Sequence, residues 1–368
     1  MRALLYYILE CVVNEVDLNE TRVRRLREED WQELYSLVKQ QGVAAVVFEK
    51  VKTLPKDVAP PKALAVRWMS HSLNITKKAK EKMEKSASWA ELMAQEGMQT
   101  LVLKGGAFSM YYPNPYHREY GDLDCYLFKL KDGKLCWEHC FEQGNRLSQN
   151  SGFQTEMSFY KHSHINYYGL EIENHQFALP IKDGPEMKAL EHELRRLVYR
   201  LEMVRRIGDT HLYVPSADFN ALFLVAHAMN HFLYEGLKLR HLLDWALLLK
   251  KEQGNIDWDN FWMWCDKMKY SKFVGCLNYI CEHQLGMNLP PCVNQHRLVD
   301  SYLPKKILDD IFEEDSLYSK GYKGLHFRVI LVGRYFKNLW KFHEVHERNA
   351  FYLLARRMKN YWVKDVKL

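Results

Sequence analysis

Long apolar runs, paired cysteines and a one-sided charge are all missing from this 368-residue chain. No stretch reaches the roughly 18 apolar residues that a membrane-crossing helix needs, so no membrane partner is expected. The eight cysteines are too sparse for a disulfide scaffold, and none stands in a CxxC pair, which argues against a zinc ribbon. Lysine plus arginine exceed aspartate plus glutamate by only 52 to 46, a net charge of +6. That balance suits a phosphate-bearing ligand and falls far short of a protein that coats DNA, so no stable nucleic-acid partner is expected. The opening MRALLYYILECVV has one basic residue and a short apolar run, but Glu10 interrupts it and no small-residue cleavage site follows. There is no internal repeat and no low-complexity segment. What is present is core: 47% hydrophobic and 27% charged residues exclude wholesale disorder. A cytoplasmic protein of about two domains is the expectation, with its oligomeric state left open.

The pattern divides the chain into a helical region over 1–96, an α/β core over 97–213 and a helical region over 214–368. In the first, Asp30 is expected to cap a helix whose apolar face is Trp31, Leu34, Leu37 and Val38, with Glu33 completing a capping box and Gly42 as its stop. A long helix follows over 62–96; its lysines 77, 78, 80, 82 and 85 alternate with Glu81 and Glu84 and are read as a solvated face. The core has short strand-like runs at 99–103, 122–128, 153–158, 163–168 and 170–179. Helices are expected over 134–149 and 186–206, and a short strand near 211–214. After Pro215-Ser216, helices are expected from about 217, over 238–250, near 257–285 and 296–313, and over 325–362. Cys136 and Cys140, with His139 between them, stand i,i+4 on the first core helix, where free thiols are the ordinary reading and a metal the minor one.

Chemistry concentrates in two pieces of the core. Leu101-Val-Leu-Lys-Gly-Gly-Ala107 is a strand running into two glycines and a helix-like segment, where backbone N–H groups can approach an anion closely. Arg118-Glu-Tyr-Gly-Asp-Leu-Asp124 leads into a second strand. Its period of two puts Asp122 and Asp124 on one face and Leu123, Cys125 and Leu127 on the other. Two such carboxylates repel unless a cation lies between them, and both are hard oxygen donors of the kind Mg²⁺ prefers. In Leu170-Glu-Ile-Glu-Asn-His-Gln176, Glu171, Glu173 and His175 share a face and offer a third acid. Taken singly, Asp-Leu-Asp is a common exposed pattern and Glu173 an ordinary surface acid. Their order and spacing after a strand and a Gly-Gly turn joins them into a two-metal phosphoryl-transfer site.

These motifs resemble the DNA-polymerase-β-like nucleotidyltransferase superfamily and, more narrowly, its family of uncharacterised nucleotidyltransferases. Lys104-Gly105, Arg118, Asp122-x-Asp124 and Glu173-x-His175 stand at the matching positions, and 219–249 is similar to that family's C-terminal part. The resemblance implies an α+β fold: a polymerase-β-like core with a mixed sheet and helices, flanked by N- and C-terminal helical regions. It implies that Asp122, Asp124 and Glu173 hold two Mg²⁺ ions, and that Gly105 and Gly106 cradle the phosphates of an NTP. Lys104 or Arg118 would neutralise the leaving pyrophosphate. The reaction would move an NMP to a hydroxyl-type acceptor, a small molecule being favoured. Gly106 stands where Ser is common and Glu173 where Asp is commoner. A catalytically silent nucleotide-binding or interaction module is therefore one alternative, and a toxin or antitoxin-type component acting on a macromolecule is another.

Three further features are read beside this. His227 and His231 stand i,i+4, a zinc-compatible spacing, but Ala228 replaces the Glu that a metalloprotease helix needs. A metal, the lining of the pocket mouth and plain packing all stay open for them, and His175 is a further candidate for the pocket. Arg240 and Asp244 are expected to pair along one helix. Arg195, Arg196, Arg200, Arg205 and Arg206 are offset by Glu191, Glu193 and Glu202. Trp340, Phe351, Trp362 and Arg356-Arg357 mark the last helix as a cover for the core or a contact between copies.

Overall fold

The computed structural model describes residues 1–313 apart from 25 and 299, residue 333, and residues 335–355. Of the helix expected over 325–362, residue 333 and residues 335–355 are described, and these do not form one helix: 346–349 break it, with Glu347 at φ 51°, while Trp362 and Arg356-Arg357 lie outside the described residues. Five helices open the chain: α1 (Arg2–Val13), α2 (Glu20–Val23), α3 (Glu28–Gln41), α4 (Ala44–Val51) and α5 (Lys62–Ala94). Gly42 ends α3 in the left-handed conformation, φ 68°, as its sequence position suggested. Asp30 does not stand at the cap as expected. Glu28 and Glu29 extend the acidic first turn, Arg27 becomes the cap, and the Asp30 carboxylate accepts the Arg27 N–H at 2.9 Å from inside the helix.

The middle of the chain forms a mixed α+β sheet from β1 (Gln99–Val102), β2 (Leu123–Lys131), β3 (Lys134–Cys136), β4 (Thr155–Phe159), β5 (His162–Tyr167), β6 (Leu170–His175), β7 (Val204–Arg206) and β8 (Leu212–Pro215). The spatial order is β4-β5-β6-β2-β1-β8-β7, with β3 pairing the far end of β2. β2 runs antiparallel to β1 and parallel to β6; the β2–β6 register sets Asp124 opposite Glu173. Three helices intervene, α6 (Lys104–Ser109), α7 (Cys140–Asn150) and α8 (Pro185–Arg196).

Two expected helices are corrected. Residues 134–149 do not form one helix, because Asp132 and Gly133, φ 50° and 71°, fold β2 straight back into β3 as a tight hairpin. Cys136 therefore ends a strand and Cys140 begins α7, with its Sγ turned to the Cys136 carbonyl oxygen at 3.5 Å. The second expected helix stops at Arg196; Arg205 and Arg206 lie on β7, an edge strand paired to β8.

The two faces of the sheet bury different partners. Leu123, Cys125, Leu127 and Ile172 pack with Trp89, Ala90 and Met93 from the end of α5. Behind β6 a buried polar cluster ties the strand to α7: Asn174 Nδ2 donates to Phe141 O at 3.0 Å and Asn145 Oδ1 at 2.9 Å, and Ser163 Oγ donates to Asn145 Oδ1 at 2.6 Å. The opposite face, with Leu101, Tyr126, Phe128 and Tyr213, joins the core of the N- and C-terminal helices. Those last helices are α9 (Ala217–Asn230), α10 (Leu239–Glu252), α11 (Trp258–Met268), α12 (Ser271–Gln284) and α13 (Tyr302–Glu313). Ser216 caps α9, its Oγ accepting from the Phe219 N–H. Residues His231–Glu235 continue α9 as one wider π turn before Gly236 breaks it. Trp340 packs edge-on against Phe232 at 5.6 Å, while Phe351, expected in the same cover, is exposed. Among the described residues no helix is long and apolar enough to cross a membrane.

Candidate active site

A pocket of about 440 Å³ opens where β2, β6 and α6 face α9 and α10. The strand period delivers its acidic wall. Asp122 precedes β2, Asp124 lies two residues on, and the parallel register brings Glu173 alongside on the same face. Carboxyl oxygens of the three lie within 4.8 Å of one another. Lys104 Nζ enters this group, bonding Asp124 Oδ1 and lying 3.4 Å from Glu173 Oε2. Beside it His175 Nε2 sits 2.9 Å from Asp124 Oδ1 and 3.2 Å from Glu173 Oε2, while its Nδ1 faces Phe177 O at 2.9 Å. The three carboxylates offer hard oxygen, with the ring nitrogens of His162 and His175 beside Glu173, and the protein's own ammonium already stands among them as a cation does. The residues present fit divalent metal of the Mg²⁺ kind.

The charges are uneven. Burial, with the charge of Asp124 next, pushes Asp122 up to about 6. Burial opposes ionisation of Glu173 too, but the hydrogen bond from His175 and the charge of Lys104 outweigh it and hold this carboxyl well below the usual range. Lys104 loses solvation yet is raised, because Asp124 and Glu173 overcompensate. On the rim, burial and then the nearby Lys104 charge lower Lys161 to about 8, and burial and His175 lower His162 to about 3.

The glycine turn is tighter than expected: Gly105 and Gly106 lie inside the first turn of α6. Gly105 lines the pocket, where an added Cβ would fall 2.5 Å from Tyr120 Cβ and 2.9 Å from Arg118 Nη1. Gly106 is turned to the sheet, its Cβ position 2.7 Å from Val102 Cγ1. Lys104 itself has φ 44°, a left-handed backbone that costs a lysine about 1 kcal/mol. Arg118 lines the pocket but gives Nε and Nη2 to Asp244, at 2.8 and 2.7 Å, in a buried fork; Tyr112 Oη donates to the same carboxylate at 2.8 Å. The expected Arg240–Asp244 pair is thereby corrected: Asp244 is taken across the fold, and Arg240 Nη1 donates to Glu119 O at 2.9 Å.

With three carboxylates beside a lysine and a glycine turn at the base of one pocket, the comparison with known families is decisive: residues 27–286 match the family described as uncharacterised nucleotidyltransferase. The chain belongs to that family. The uncharacterised nucleotidyltransferase match covers the sheet, α9 and α10, and therefore every pocket residue named above. No curated protein and no solved structure matches the chain.

The structure brings Asp122, Asp124, Glu173, Lys104, Gly105, Arg118, His175, His227 and His231 to one pocket or its lining. Sequence reasoning missed Lys161 and His162, which the β5–β6 hairpin lays beside His175, and His241, which α10 brings to His227 and His231. The alternation His162, His164 at a strand start was a legible signal; ten residues and a turn separate His231 from His241, and nothing local connects them. Lys82 is a further correction. It is half-buried and its Nζ bonds the Tyr120 carbonyl oxygen, so α5 pins the Arg118–Asp122 loop where a solvated face was expected. Three of the five arginines are engaged within the fold: Arg195 with Glu191 at 3.1 Å, Arg196 with Glu193 at 2.7 Å and Arg206 with Thr210 O at 2.6 Å; Arg200 and Arg205 are exposed.

Proposed function

We propose that the protein transfers a nucleoside monophosphate from an NTP to a hydroxyl-type acceptor, small molecules being favoured, with Mg²⁺ held by Asp122, Asp124 and Glu173. The convergence of those three carboxylates at the base of one pocket carries this reading. When bound, the metal supplies Lewis-acid stabilisation of charge on the phosphoryl and acceptor oxygens. The chain's own groups do the rest. Asp122 must give up its proton, near pH 6, to join the other two as a full donor. The Lys104 ammonium is bonded to Asp124 and lies beside Glu173, two of the residues that would hold the metal, and so stands ready to meet phosphate oxygen. Lys161 offers a second, half-buried cation on the rim. Arg118 spends its fork on Asp244 and serves to fix the loop that ends in Asp122.

One observation favours a second reading. The Lys104 ammonium and the His175 ring already occupy oxygens of Asp124 and Glu173, an arrangement that also suits a silent, metal-independent nucleotide-binding module. A thermal-shift panel of the four NTPs, with Mg²⁺ and with EDTA, separates the two. Transferase function predicts Mg²⁺-dependent stabilisation that Asp122→Ala and Asp124→Ala abolish, together with pyrophosphate release in the presence of Mg²⁺. Stabilisation that ignores Mg²⁺ and survives both substitutions would establish the silent module.

A further inference from the structure

Across the pocket from the carboxylates stands a wall of a different chemistry. His227 lies in the last turn of α9, His231 opens the π turn, and His241 lies in the first turn of α10. One ring nitrogen from each falls within 4.8 Å of the other two, and all three side chains line the same pocket. His227 Nε2 and His231 Nε2 are 3.1 Å apart. A tetrahedral ion with metal–nitrogen bonds of 2.0–2.1 Å has ligand edges of about 3.3 Å, so these two nitrogens already stand close to one such edge.

The outer contacts fit the same reading. His231 Nδ1 lies 3.0 Å from Glu235 Oε2, so Nδ1 carries the hydrogen and Nε2 presents its lone pair toward His227. A carboxylate behind a histidine is the usual outer partner of a metal ligand, fixing its tautomer and raising its basicity. The π turn spans His231 to Glu235 and so places both members of this pair; single π turns inside α-helices recur at functional sites. His241 stacks on His231 with ring centres 4.7 Å apart, and its Nδ1 accepts from the Lys238 N–H at 3.1 Å. Ligation through His241 Nε2 exchanges that one capping bond for a metal bond.

We infer that His227, His231 and His241 form a second metal site, selective for a nitrogen-preferring ion of the Zn²⁺ class, with its open fourth position toward the pocket. Its donor set is the chemical opposite of the acidic site, since imidazole suits Zn²⁺ while Mg²⁺ demands oxygen. One pocket then holds two kinds of metal on facing walls, and the nitrogen site neither needs nor tests the transferase reading.

The test is equilibrium titration of the full chain with Zn²⁺ against a chromophoric chelator, in excess Mg²⁺ so that the oxygen site is kept for the hard ion. The expected result is one tightly bound Zn²⁺ per chain in the unsubstituted protein and in Asp124→Ala. Affinity should fall at least about 100-fold in His231→Ala and in His241→Gln, and about 10–100-fold in Glu235→Gln, whose residue acts only from behind. Co²⁺ should give the intense visible bands of a four-coordinate ion, lost in the histidine variants. No tight Zn²⁺ in the unsubstituted chain overturns the inference, as does Zn²⁺ that survives both histidine substitutions or disappears in Asp124→Ala. Where a histidine variant fails to fold, Glu173→Ala carries the decision, because it removes the donor shared by the acidic site and the His162–Glu173–His175 cluster: Zn²⁺ retained there supports the inference and Zn²⁺ lost there overturns it.

Discussion

Two buried cations border the same pocket, and they are bound in opposite ways. Arg118 meets one carboxylate, Asp244, through two parallel hydrogen bonds, and Tyr112 supplies a third bond to that acid. The charges balance and the geometry is a rigid fork. Lys104 instead meets Asp124 and Glu173 with Asp122 close by, a point charge among more acid than it can neutralise. A balanced fork is a fastener. An outnumbered ammonium leaves a demand for further positive charge, and the proposed metal would answer it there. Both residues come from sequence motifs read as phosphate-binding; the structure gives one a closed, balanced pairing and leaves the other among an excess of carboxylates.

The contrast is sharpest under substitution. Asp244→Ala strands the Arg118 charge and should cost about 3–5 kcal/mol in urea unfolding, with no recovery on adding Mg²⁺. Asp122→Asn should leave the fold intact yet slow nucleotidyl transfer by about 100–1,000-fold, read as pyrophosphate release in the presence of Mg²⁺. Lys104→Met should cost about 2 kcal/mol in EDTA and regain it in Mg²⁺, because a metal can replace an ammonium there but cannot replace a guanidinium at Asp244. A metal-blind Lys104→Met would erase the distinction drawn between the two cations. The smallest effect is on acidity. The folded protein holds the Asp122 proton to about pH 6, above the ordinary carboxylate value of 3.8, so it binds more protons than the unfolded chain between those values. Metal-free stability therefore falls as pH rises from about 4 to about 6 and stays lower above that. Asp122→Asn should remove this loss, raising the melting temperature by a few degrees at pH 7.5 and changing it little at pH 4.

The legible part of the site was the part carried by strand periodicity. Asp122, Asp124, Glu173 and His175 could be assigned to faces because alternate residues point the same way, whatever the rest of the fold does. The same logic placed β1, β5 and β6 to within a few residues. What failed was of two kinds. Some signals were local and outvoted: Asp132-Gly133 is a hairpin turn, but the helical spacing that follows it masked the short β3. Others were not local at all. Asp244 reaches Arg118 across 126 residues, and the same helix face offered Arg240 as a nearer partner. Lys82 looked solvated because its neighbours alternate in charge, and only the docking of α5 on the Arg118–Asp122 loop reveals its contact with Tyr120. The histidine wall combines both failures, with an i,i+4 pair in view and its third member hidden beyond a turn.

Asn174 gives the structure a vulnerability on its reverse side. It follows Glu173 on β6, points the other way, and anchors that strand to α7 through Asn145 and the Phe141 carbonyl oxygen. A slip of one residue between β2 and β6 would swing Glu173 to the rear and bring Asn174 to the front. The pairing there covers Leu123↔Ile172, Asp124↔Glu173 and Cys125↔Asn174, and on the front the contacts of Lys104 and His175 with Asp124 and Glu173 share in holding alignment. A change at Asn174 would thus disturb the carboxylate wall from behind, at a residue that does not line the pocket.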